Sequence, residues 1–223
     1  GSVFRLRVDE STGNVTRNGA LFVHTTGAGD NTFVGRLAGS PAAASSGNTA
    51  FGFAGLYYTT SGYGNTVAGA LSLTYNTTGS ANSAFGSNAL TQNTSGYWNT
   101  AAGSLALNQN TIAPQNSAFG RAALANNTTG SSNSAFGSYA LRNNTVGIEN
   151  AAFGQTALRG NTTGNRNAAF GRGALYTNTA GSFNAAFGNA ALESNLASFN
   201  SAVGTRALQS NTFGADNTAL GFE

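Results

Sequence analysis

A single 17-residue phrase recurs from Asn31 to the end of the chain. Aligned on Asn-x-Ala-Phe-Gly, its copies begin at Asn31, Asn48, Asn65, Asn82, Asn99, Asn116, Asn133, Asn150, Asn167, Asn184, Asn200 and Asn217, and every step is 17 residues except the 16-residue step from Asn184 to Asn200. A short fixed period means stacked like units, each completing its core against its neighbours. It also tells against an enzyme. A catalytic centre needs a few different groups converging once, and this chain supplies the same groups many times.

The phrase is best read by position, counting its Asn as 1. Position 3 is small in nearly every coil, position 4 is usually Phe, and position 5 is Gly from Gly35 through Gly221. Position 8 is mostly Ala, and position 9 is Leu from Leu56 to Leu208. Asn-Thr follows at positions 12 and 13, with Gly usual at 15. Turn chemistry thus separates two short pieces, x-Ala-Phe and Ala-Leu-x, each too short and too closely flanked by turn residues for a helix. Two strands per coil predict an all-β parallel β-solenoid of about eleven 17-residue coils over residues 31–223. At ~4.8 Å per coil the rod is roughly 50 Å long.

Residues 1–30 stand outside the repeat. Gly1-Ser2 reads as a cloning remnant, and the chain as a segment of something longer. Phe4, Leu6 and Val8 alternate with Arg5 and Arg7, the period-2 pattern of a half-buried strand. Ser11 to Asn14 reads as a turn, and Asn18-Gly19 as a tight turn before Ala20 to Val23. This segment is expected to form a β cap, because an array needs an atypical end to cover its first coil.

The repeat core is assigned to Phe85, Leu90, Phe119, Leu124, Phe136, Leu141, Phe153, Leu158, Phe170, Leu175, Phe187 and Leu192. Successive strand residues face opposite ways, so positions 3 and 4 part company, as do 8 and 9. Alternation leaves open whether the Phe and Leu columns or the Ala columns line the interior. Either way both faces of both strands are apolar, whereas a lone solenoid should be polar outside. The core is also thin. The chain is therefore expected to be a homo-oligomer of intertwined or side-by-side rods with closed cyclic symmetry.

Asn82-Ser83-Ala84-Phe85-Gly86 with Ala89-Leu90 resembles repeats in the heads of trimeric autotransporter adhesins. It is also similar to repeats of phage tail fibres and surface proteins that end in a self-cleaving trimerisation chaperone. The resemblance covers residues 31–223. It implies a left-handed parallel β-roll, three chains around one axis, and a non-enzymatic extracellular role, at a cell surface or on a virion tail, in attachment to a host surface, matrix protein or glycan. The adhesin-head repeat is shorter, so the Asn-Thr-x-Gly loop here is longer.

Other features are weighed against their plain structural reading. The Asn columns at positions 1 and 12 are expected to form amide ladders between coils. Asn76, Asn93, Asn127 and Asn161 match the N-glycosylation pattern, but they are also simply the repeat loop. The Thr column at position 13 raises ice binding, yet no second Thr column lies beside it on the same face, and a monomeric ice- or surface-binding solenoid stays an alternative. Tyr63, Tyr97, Trp98, Phe183 and Phe199 gather at positions 16 and 17 and are the candidate sugar-stacking residues. Loops that depart most from the phrase are 40–47, Ala113-Pro114-Gln115 and Leu196 to Phe199.

Charge is sparse, at 8% of residues, and all ten basic residues are Arg. Nothing is charged from Leu37 to Gly120, whereas Arg121, Arg142, Arg159, Arg166, Arg172 and Arg206 follow. They fall at repeat positions 6, 7, 10 and 17 and are expected to scatter around the coil rather than form a strip for an anion; nucleic acid is not expected as a partner. His24 is the lone His, and Asp30 and Asp216 are far apart, so no metal or cofactor is expected. Gly27 to Asp30 lacks the context of a phosphate loop, and no nucleophile-His-acid set is present. The chain has no Cys, and no apolar run long enough to span a membrane.

Overall fold

The computed structural model describes residues 6–25, 29–40 and 44–223. Phe4 and Arg5, Gly27-Ala28, the terminal Gly1-Ser2 and part of the 40–47 loop lie outside the described residues. Three strands, β1 (Leu6–Val8), β2 (Val15–Arg17) and β3 (Ala20–His24), precede the repeats. From β4 (Thr32–Val34) to β15 (Thr218–Leu220) each coil contributes one strand at positions 2 to 4. All fifteen join one sheet in sequence order.

The pairing changes character where the repeat begins. The strands β1 to β4 pair antiparallel, and Asn18-Gly19 closes the β2–β3 hairpin with φ of 49° and 83°. Positive φ at both central residues is what the twist of a two-residue hairpin demands. From β4 onward the pairing is parallel and in register, so that Ala135 lies beside Ala152 and Phe136 beside Phe153. The β1 strand is fully exposed rather than half-buried as its alternation predicts. It is an edge strand of the sheet.

The second expected strand does not form. Positions 6 to 11 are turns, with the residues at 7 and 9 in the left-handed region: Asn88 has φ 58° and Leu90 φ 52°. The Leu90 N–H still donates to the Ala106 carbonyl of the next coil at 3.0 Å. The segment therefore steps coil to coil like a ladder without adopting strand geometry. The two left-handed residues also break alternation, so Ala89 and Leu90 are both buried. The supposed outer apolar column on this side does not exist.

Across the true strand, alternation holds and decides the open question. Position 3 points inward, as with Ala84, Ala118 and Ala135, all fully buried. Position 4 points outward. Phe85, Phe119, Phe136, Phe153, Phe170 and Phe187 are therefore not core; Phe85 and Phe187 are 43% and 42% exposed. The Leu members of the assigned core, from Leu90 to Leu192, are completely buried.

Two Ala and one Leu per coil make a narrow apolar core, and the rest of the interior is amide. The position-1 Asn from Asn31 to Asn200 and the position-12 Asn from Asn76 to Asn195 are buried. Each position-1 Oδ1 accepts the backbone N–H of the Asn one coil on, as Asn133 Oδ1 does from Asn150 at 3.0 Å. Each Nδ2 donates across its own coil to the position-15 carbonyl, as Asn133 does to Gly147 at 2.9 Å. The position-12 Asn donates to that same carbonyl from the other side, Asn144 to Gly147 at 2.9 Å, and to the Asn below it. Buried polar groups need partners, and here a repeat supplies them by translation.

The short coil interrupts this pattern once. With one residue missing between Asn184 and Asn200, Asn195 bonds Ala197 and receives Asn200 and Asn211, but the rung down to Asn178 is not made. Asn178 Oδ1 is left buried without a partner.

Candidate binding surface

The outer strand face carries the longest aromatic feature. Phe119, Phe136, Phe153, Phe170 and Phe187 stack ring on ring with centroids 4.7 to 4.9 Å apart and planes within 8°. That spacing is the inter-strand distance itself, so the sheet sets the stack. Ala68 and Ala102 take the same position in earlier coils and interrupt the column.

The candidate sugar-stacking residues fall into separate groups along the 16–17 edge. Tyr97 and Trp98 meet edge to face at 5.1 Å, and Trp98 is 61% exposed. Phe183 and Phe199 stack face to face at 5.1 Å, with the Arg166 guanidinium 5.5 Å over Phe183. Tyr63 is exposed and touches neither group. Position 17 is left-handed in these coils, with φ 55° at Trp98, 59° at Phe183 and 61° at Phe199. That conformation turns the side chain outward just before the buried Asn.

The Thr column is committed to the backbone. Hydroxyls at position 13 donate to the Thr carbonyl of the following coil, from Thr60 to Thr77 at 3.0 Å through Thr162 to Thr179 at 3.0 Å. Asn76, Asn93, Asn127 and Asn161 are buried in the position-12 ladder, with Nδ2 groups bonded inside the coil. Ala113 takes the position-15 role despite the following Pro114, its carbonyl accepting from Asn99 and Asn110.

Arg166 stands apart on the 16–17 edge, but Arg121, Arg142, Arg159 and Arg172 do not scatter as their repeat positions suggest. Positions 6, 7 and 10 share one face, because the left-handed turn folds them back on one another. Arg121, Arg142 and Arg159 stand 5.5, 5.4 and 6.0 Å from the Tyr139 ring. Arg159 also lies 5.6 Å over Tyr176 and donates to its hydroxyl. Arg172, Tyr176 and Thr156 line an open groove of about 430 Å³ on the same face. Tyr139 and Tyr176 carry no repeat signature that marks them in the sequence.

His24 seals the junction of cap and first coil. It is 3% exposed, its Nε2 donates to the Ala38 carbonyl at 2.8 Å, and its ring lies 5.2 Å from Phe33. Burial pushes its pKa below the ordinary 6.5, partly offset by the Ala38 bond. A group depressed by folding stabilises fully above its unfolded value and loses that contribution as pH falls through the folded one. Protection of the Ala38 and Gly39 amides from hydrogen exchange should therefore weaken as pH falls below about 6.5. His24→Gln, which keeps a donor for Ala38, should flatten that dependence; an unchanged pH response in the variant would assign it elsewhere.

Among the described residues no three His, Asp or Glu side chains converge to hold a metal ion, and no helix is long and apolar enough to cross a membrane. No protein family, curated protein or solved structure matches the chain.

Proposed function

We propose that the chain is a rigid, non-enzymatic extracellular rod that assembles as a homotrimer and serves in attachment. One observation carries the assembly: a ladder of half-exposed Phe rings on the outer face of a sheet whose inner face is already satisfied. A contiguous apolar stripe of this kind marks an interface. A second copy of the same rod fits it best, because its own Phe column has the same spacing and offers ring for ring along the length. Closed symmetry limits the assembly, and the resemblance to trimeric adhesin heads suggests three. The monomeric ice-binding alternative is weakened by the Thr hydroxyls, which are spent between coils.

The test is absolute mass by light scattering on a size-exclusion column. Three times 22.4 kDa is expected. The pair Phe136→Arg and Phe153→Arg should reduce the mass to that of one chain with the far-ultraviolet spectrum unchanged, since both side chains point away from the core. A wild-type monomer would overturn the assembly, and a trimer indifferent to the Arg pair would move the seam off the Phe face.

A further inference from the structure

We infer that the arginine face is a binding strip for a linear sulfated polysaccharide lying along the rod axis. Consecutive coils starting at Asn116, Asn133, Asn150 and Asn167 each place one Arg there: Arg121, Arg142, Arg159 and Arg172. At ~4.8 Å per coil the strip runs roughly 14 Å from first to last. It follows neutral coils and ends where Arg172, Glu193 and Arg206 line one groove, the Glu193 carboxylate accepting from Gln209.

Among the described residues Arg121, Arg142 and Arg159 stand in no ion pair, while Arg172 shares its groove with the Glu193 carboxylate. The ion pairs among the described residues are Arg166 with Glu149 and Arg206 with Glu223, and neither involves these four. Three guanidiniums around one Tyr ring repel one another, and no carboxylate answers them. Nε of Arg142 and of Arg159 is sealed from solvent without a partner. The tyrosines hold the guanidiniums in place, which lowers the entropy lost when an anion docks. Planar forks arrayed along a line suit anionic groups that recur along a chain.

The same geometry disfavours a single-stranded nucleic acid. Such ligands stack their bases on open aromatic faces, and here the Tyr faces are already taken by guanidiniums. Ser138, Gln155 and Thr156 stand between the arginines at positions 6 and 7, where hydroxyls and amides can meet sugar hydroxyls. The strip gives the proposed rod a ligand, and in that sense the inference rests on the attachment reading.

Calorimetry with a size-fractionated heparin oligosaccharide tests it, with light scattering on the same samples. Wild type should bind, and the half-buried pair Arg142→Ser and Arg159→Ser should bind at least about tenfold more weakly with mass and spectrum unchanged. The Lys pair at these positions should fall between, having charge without the fork. Arg166→Ser, on another edge and ion-paired, should bind as wild type. No binding, equal binding by the Ser pair, or tighter binding of single-stranded DNA of matched charge would each overturn the strip. Absent binding by a trimer would leave the rod standing; binding by a monomer would keep the strip and sink the assembly.

Discussion

Gly154→Ala should lower unfolding stability by about 3 kcal/mol or more, while Gly173→Ala, one coil on and two positions along the repeat, should cost about 1. Gly154 has φ +138°, a region that L residues scarcely enter, and an added Cβ would sit 2.5 Å from the Gly171 carbonyl oxygen. No side-chain rotation relieves this, because the obstacle is backbone. Nor does a shift of the next coil, since Gly171 stands in the same relation to Gly188. The array is locked coil against coil at position 5. Gly173 has φ +69° and open space where its Cβ would go, and Thr156 and Ala190 hold that conformation in adjacent coils at 59° and 56°. Chemical denaturation of the two variants separates steric contact from conformational strain; equal losses would mean that the close stacking of glycines is not what fixes position 5.

That contrast shows where the sequence was readable. The period, the parallel register, the cap hairpin and the amide ladders all follow from repetition and turn chemistry. The inward side of the strand was also legible, though not from alternation. Position 4 holds Val34, Phe51, Ala68, Phe85 and Leu220, a range of volumes no packed core tolerates, while position 3 stays mostly Ala. The false second strand was harder to avoid. Bulky residues rarely take positive φ, so a Leu at φ 50° leaves no mark of its own. The trace lies in exceptions: Gly39 stands at position 9, and Asn88 and Gly173 at position 7, all residues that favour the left-handed region. Missing that turn also hid the arginine face, since without it positions 6, 7 and 10 look unrelated.

Asn133→Ala should cost about 3 kcal/mol, and Asn217→Ala less than about 1. Asn133 Oδ1 is the acceptor for the Asn150 backbone N–H at 3.0 Å and its Nδ2 at 3.2 Å, and Asn150 is only 1% exposed. Truncation strands that N–H in a place water does not reach. Within residues 1–223 no backbone N–H donates to Asn217 Oδ1, so Asn217→Ala removes only the Nδ2 bond to Asn200 Oδ1, while the residue 217 N–H still donates there. Position along a quasi-one-dimensional stack thus enters the energetics directly. Asn133→Asp adds a second reading of the same site. It keeps the acceptor for Asn150 but turns an oxygen toward the Gly147 carbonyl, where Nδ2 now donates. Burial and that carbonyl raise the carboxyl pKa, so the Asp variant should be less stable than the Ala variant at neutral pH. Its stability should recover as pH falls through the raised value, when the protonated oxygen donates to Gly147. Loss at neutral pH without acid recovery would mean that volume, rather than the donor, is what position 1 requires.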